Sequence, residues 1–132
     1  MKTACKTNFI NLPQTLNISF VTPACPLLSV IYYAIQVNYS GGGTPNGTFS
    51  LEISCDPVAL PVGQGDNYMS ANQPVNWSTL ISSPLVVTTN STYCWDITSG
   101  FGYNWVRLRY VDSSNGSSTA ILSQYTVNTK AV

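Results

Sequence analysis

Histidine is absent from the 132 residues. Without it, neither a Ser–His nor a Cys–His nucleophilic pair can be assembled. Charge is scarce as well. Five Lys and Arg balance five Asp and Glu, and charged residues make up 8% of the chain, where an average soluble domain has roughly 25%. That shortage argues against nucleic-acid binding, which draws much of its affinity from phosphate neutralisation by Lys and Arg. No stretch reaches the ~20 apolar residues of a bilayer-spanning helix. The longest apolar run, residues 27–37, contains Ser29 and Gln36 and has the character of a strand. The opening MKTACKTNFINLPQ holds no continuous apolar segment, so it does not read as an export signal.

The carboxylates are few enough to name: Glu52, Asp56, Asp66, Asp96 and Asp112. A glycosidase needs two of them across a cleft, yet all but Glu52 fall near strand ends or in loops, where carboxylates usually cap backbone amides. No catalytic residue and no cofactor is expected. Asp56 and Asp66 are the only pair with the loop setting of a calcium site, but no dense acidic motif surrounds them. The four cysteines, Cys5, Cys25, Cys55 and Cys94, form no C-x-x-C element; with histidine missing, no metal site is expected. They are either two disulfides, with Cys5–Cys25 and Cys55–Cys94 the preferred pairing, or buried thiols acting as small hydrophobes.

What the chain does have is hydroxyl, amide and alternation. With no net charge to hold copies apart, association is easy. Such a surface suits a structural or adhesive protein better than a diffusing enzyme. Six Asn-x-Ser/Thr sequons, at Asn17, Asn38, Asn46, Asn76, Asn90 and Asn115, follow from that composition. Period-two patterning runs through LNISF at 16–20, which would place Leu16, Ile18 and Phe20 on one face. It continues through 28–39 and through GTFSLEISC, with Phe49, Leu51, Ile53 and Cys55 inward. Further strands are expected near 76–81, 85–89, 93–97, 103–111 and 119–129, and no helix of ten residues is expected. The fold class is therefore all-β: an antiparallel β-sandwich, jelly-roll-like, of seven to eight strands. Residues 1–26 read as an N-terminal arm containing Cys and Pro. Residues 27–132 read as the β-sandwich domain, with a long loop at 56–75.

Two groups of side chains stand out as candidate sites. In YNWVRLRY, at 103–110, the chain's only arginines sit two apart. Val106, Leu108 and Tyr110 share the core face, whereas Trp105, Arg107 and Arg109 share the other, with Glu52 as a candidate partner. This outward row is either a solvated strand face or a protein–protein contact, in which guanidinium can stack on indole and pair with carboxylate. The second group is aromatic: Tyr68, Trp77 and Tyr103 lie in or beside loops, where flat rings could stack on a sugar.

The run GTPNGTFSLEISCDP, followed by VNWSTL, TYCWDI and YNWVRLRYVDSSNGSSTAIL, resembles a small β-sandwich domain recurrent in virion proteins of tailed bacteriophages. The S-x-D to N-W segment is also loosely similar to discoidin-like jelly rolls, which often bind carbohydrate. The resemblance spans about residues 28–128. It implies a non-enzymatic virion component, assembled in the host cytoplasm and carried on the extracellular particle: a capsid decoration or cement protein, or a head-fibre or tail-fibre piece. Its partners would be capsid or other virion proteins and further copies of itself, as a dimer or trimer. A carbohydrate-binding adhesin module at a fibre tip, facing a host surface glycan, is the alternative. The segment between Asp56 and Asn76 is much longer than the short turn of the family pattern, the first 25 residues have no counterpart in it, and Cys55 and Cys94 are unusual there.

Overall fold

Alternating apolar residues need a second layer to cover one face, and the chain supplies it by folding two antiparallel sheets against each other. The computed structural model describes residues 2–7, 12–27, 30–40, 46–58, 74–87, 91–98 and 101–131. Among these residues there are eleven strand segments and no helix. Seven of the segments are three residues or longer. The first sheet runs β1 (Lys2–Thr7), β11 (Ile121–Ala131), β5 (Val30–Ser40), β9 (Ser91–Ile97), with β2 (Gln14–Thr15) also on β11. The second runs β3 (Phe20–Val21), β10 (Trp105–Asp112), β6 (Gly47–Ser54), β7 (Ser78–Thr79). Here β4 (Cys25–Pro26) lies on β10 and β8 (Leu85–Val87) on β6.

The core forms where the inner faces meet. Tyr33, Ile35, Val37 and Tyr39 of β5 face Phe49 and Leu51 of β6 and Val106, Leu108 and Tyr110 of β10. On β11 the register shifts between Leu122 and Gln124. One extra residue restores the inward set, so that Leu122, Tyr125 and Val127 are all buried. Gly47 is required by packing: a Cβ there would overlap the hydroxyl and ring of Tyr110. The Asn115–Gly116 pair, both at positive φ, makes the turn expected of SSNGSS between β10 and β11.

The N-terminal segment is not a free arm. Residues 2–7 and 14–15 pair antiparallel with β11, from Lys2 opposite Ala131 to Thr15 opposite Ile121. The chain then crosses to the other sheet and runs along β10, from Phe20 opposite Tyr110 to Pro26 opposite Trp105. This crossing explains why LNISF is not one strand. Leu16 is buried, donating its N–H to Ala120 O, while Ile18 is 57% exposed in the turn between the sheets. Thr22 holds the strap to both layers. Its Oγ1 accepts from Leu108 N at 2.9 Å and lies 3.3 Å from the Tyr125 hydroxyl. The described pieces of residues 2–26 thus pair with both sheets of the sandwich.

Candidate functional site

The outer face of the second sheet carries the arginines. Arg107 lies directly opposite Glu52 across the β10–β6 pairing. Its Nε and Nη2 both reach Glu52 Oε1, at 2.8 and 2.7 Å. Arg109 Nη1 lies 3.4 Å from Oε2 of the same carboxylate. The Arg107 guanidinium also covers the Trp77 ring at 4.0 Å, a cation–π contact that shields the ion pair from water. Glu52 is buried as a result, though it points away from the apolar core, and Ser50 and Ser54 on the same face are buried with it. The expected partnership of Glu52 with the arginines is present within one chain.

Trp105, on that outer face, does not reach solvent. It is fully buried, and its indole Nε1 donates to Asp56 O at 3.0 Å. The outward row therefore splits into a buried Trp105, a partly buried Arg107 and an exposed Arg109. Alternation correctly assigned Trp105 to the face opposite Leu108, but it could not show that this end of the face is covered.

What occupies that end is the neck of the long loop. Asp56 Oδ2 accepts from the backbone N–H groups of Val75 and Asn76, at 2.7 and 3.0 Å, and Oδ1 accepts from Asn76 Nδ2 at 3.0 Å. The Asn76 side-chain amide, and then the Asn76 and Val75 backbone amides, hold the Asp56 carboxyl below its usual range. Asn104 Nδ2 donates to both Cys55 O and Asp56 O, and Asn104 N donates to Ser54 O. The two ends of the expected 56–75 loop are thus tied together, and its residues 59–73 lie outside the described residues. Asp66 lies outside the described residues. With both oxygens of Asp56 engaged by amides, Asp56 serves as a clamp.

Trp77 and Tyr103 are not brought together as one platform. Trp77 lines a hollow of about 510 Å³ with Val75, Asn76, Asp56 and Ser54. Tyr103 instead packs at the other layer, its hydroxyl 2.7 Å from that of Tyr33 and its ring 5.3 Å from Phe101. Burial raises the Tyr33 and Tyr103 hydroxyls above the ordinary tyrosine range. Tyr68 lies outside the described residues.

Cys55 and Cys94 are exposed free thiols, so the expected Cys55–Cys94 disulfide is not formed. Cys94 is on the outer face of the first sheet and Cys55 lies beyond the end of β6 in the second, so the sandwich separates them. Nor are these two the buried thiols of the other reading. Cys55, expected inward, falls where the alternation has already ended. Cys25 is buried in the core with its Sγ 3.7 Å from Pro26 O. The Cys5 side chain lies outside the described residues.

Sequence reasoning missed a further device. Ser83 is buried, and its Oγ accepts from Leu51 N at 2.9 Å and donates to Leu80 O at 2.6 Å. Its carbonyl accepts from Trp95 Nε1 at 2.8 Å. One serine thereby joins the edge of the second sheet to β9 of the first. Ile81 and Val86, which flank it in the chain, are 94 and 64% exposed, and Val75, at the Asp56 end of the same edge, is 81% exposed.

No protein-family description and no curated protein sequence matches the chain. Among solved structures, the coat protein dimer of Tobacco streak virus is similar over 98% of this chain and 85% of that one, at 12% identity and a TM-score of 0.44. A similarity that loose assigns neither family nor role.

Proposed function

We propose that the chain is a virion structural protein of the capsid-decoration, cement or head-fibre type, which binds and stabilises a capsid lattice by surface contact rather than by catalysis. The observation that carries this reading is the apolar margin of the second sheet. Val75, beside the Asp56 bonds, Ile81, in the turn after β7, and Val86, opposite Thr48 at the far end of β6, stand open to water along this edge. Exposed apolar side chains strung along one sheet edge favour a contact surface, and a chain of zero net charge meets no long-range repulsion from its own copies. The likeness of GTPNGTFSLEISCDP and YNWVRLRY to tailed-phage virion domains agrees with it.

The arginine row contributes differently. Arg107 and Glu52 hold the face together, and Arg109, with 48% of its side chain exposed, is the member able to meet a partner. The glycan reading would need Tyr103 beside Trp77, and those rings have separate surroundings; it is not adopted. The test is add-back to particles prepared without the chain. Purified protein should co-sediment with them and raise their resistance to heat or chelator. Ile81→Asp combined with Val75→Asp should abolish co-sedimentation while the purified variant keeps its melting temperature. Equal binding by that variant would remove the apolar margin from the account.

A further inference from the structure

A β-sandwich has four sheet edges, and three of those described here carry guards against pairing with another chain. The β1 edge contains Lys2 and Lys6. The β3–β4 edge is built from two-residue segments with Pro23 and Pro26 along it. The β7–β8 edge is equally short, with Pro84 between its segments. Lysine, proline and brevity are the usual means by which natural sheets blunt an edge.

The fourth edge has none of them. Strand β9, STYCWDI, is seven residues long, contains no proline, glycine or lysine, and carries only Asp96 as a charge. It pairs with β5 on one side, and among the described residues no strand lies on the other. Its side chains report an open edge. Thr92, Cys94 and Asp96 are exposed on the outer face, and Tyr93, on the core face, is also 40% exposed. The exposed Ile81 lies close by, because Trp95 of β9 is bonded to Ser83 of the adjoining turn.

We propose that β9 pairs with β9 of a second copy, antiparallel across a two-fold axis, joining the two first sheets into one continuous sheet. The occupant is a second copy because the strand is complementary to itself. An antiparallel two-fold pairing must set some residue opposite its own copy. The register that pairs all seven residues is centred on Cys94, the midpoint of Ser91–Ile97. In that register Asp96 faces Thr92 of the second copy, so no carboxylate opposes a carboxylate. Tyr93 faces Trp95 of the second copy, extending the Tyr93–Trp95 ring contact already made within each strand at 5.0 Å. Cys94 faces Cys94 of the second copy with Cα atoms about 4.5–5.5 Å apart, inside the range a disulfide can bridge. The pairing stands apart from the virion reading, since it is measured on the purified chain and particle binding is not.

Sedimentation velocity on the reduced protein at micromolar concentration should give twice the 14.3 kDa chain mass. Diamide, which takes two electrons and two protons from a thiol pair, should then yield a covalent dimer whose non-reduced digest contains the Cys94–Cys94 peptide. Cys94→Lys puts a charge at the axis and should raise the dissociation constant roughly tenfold or more, with an unchanged circular dichroism spectrum. Thr92→Lys serves the same purpose should Cys94→Lys misfold. A chain that remains monomeric overturns the proposal. So does a dimer that is indifferent to both lysines or whose cross-link maps to another cysteine.

Discussion

Arg107 shows what a single residue can be asked to do on a nearly uncharged sheet. It compensates the buried Glu52 with two hydrogen bonds and caps Trp77. Removing it leaves a carboxylate out of water with only the longer contact to Arg109. Arg107→Ala should therefore lower unfolding stability by about 3 kcal/mol in a urea titration, whereas Arg109→Ala, an exposed partner, should cost less than about 1 kcal/mol. Equal effects would contradict the division of roles. It follows that only Arg109 is a clean probe of assembly. Asp56 gives a pH-dependent case. Its folded carboxyl titrates below the unfolded value of about 3.9, so its contribution is complete above that value and is lost as pH falls through the depressed one. Amide protection at Val75 and Asn76, measured relative to unstructured peptide, should fall over that acidic window. Asp56→Asn should show low protection already at neutral pH. Protection that is flat with pH would mean that the neck is held by something other than this carboxylate.

At the scale of the element, the N-terminal strap decides how the sandwich closes on one side. Thr22→Val keeps its shape but removes the acceptor of the buried Leu108 N–H, which should cost about 1–3 kcal/mol. The exposed Thr15→Val should fall within about 0.5 kcal/mol of the parent. A silent Thr22→Val would show that the strap is not coupled to β10. The long central strands were legible from the sequence because burial on one face imposes a two-residue period. Phe49, Leu51, Val106, Leu108 and Tyr110 are inward as that period requires. The strap was not legible. Its pieces β2, β3 and β4 each pair for two residues on either side of the crossing between sheets, so Leu16 and Ile18, alike in type and spacing, end in opposite environments. The loop neck was hidden for a related reason. Asp56 and Asn76 meet only because β6 and β7 are neighbours, and no local pattern encodes a contact across twenty residues. The burial of Trp105 follows from that neck, and the same limit placed Cys55 inward when it is exposed.

For the whole molecule, the features converge on contact. The first sheet ends in an unguarded strand, the second carries exposed apolar residues along its β7–β8 edge, and the net charge is zero. Polar side chains of the described residues hold the chain itself: buried Glu52 with the arginines, Asp56 at the more exposed loop neck, buried Ser83 between the sheets. This is the pattern of a rigid body that presents surfaces. The most direct test of the proposed virion role is electron cryo-microscopy of capsids of the proposed parent virus, with and without the purified chain. The account predicts added density of this sandwich at regular, symmetry-related positions on the capsid, with the Val75–Ile81–Val86 margin against the shell. Saturating protein that leaves the particle surface unchanged would contradict it.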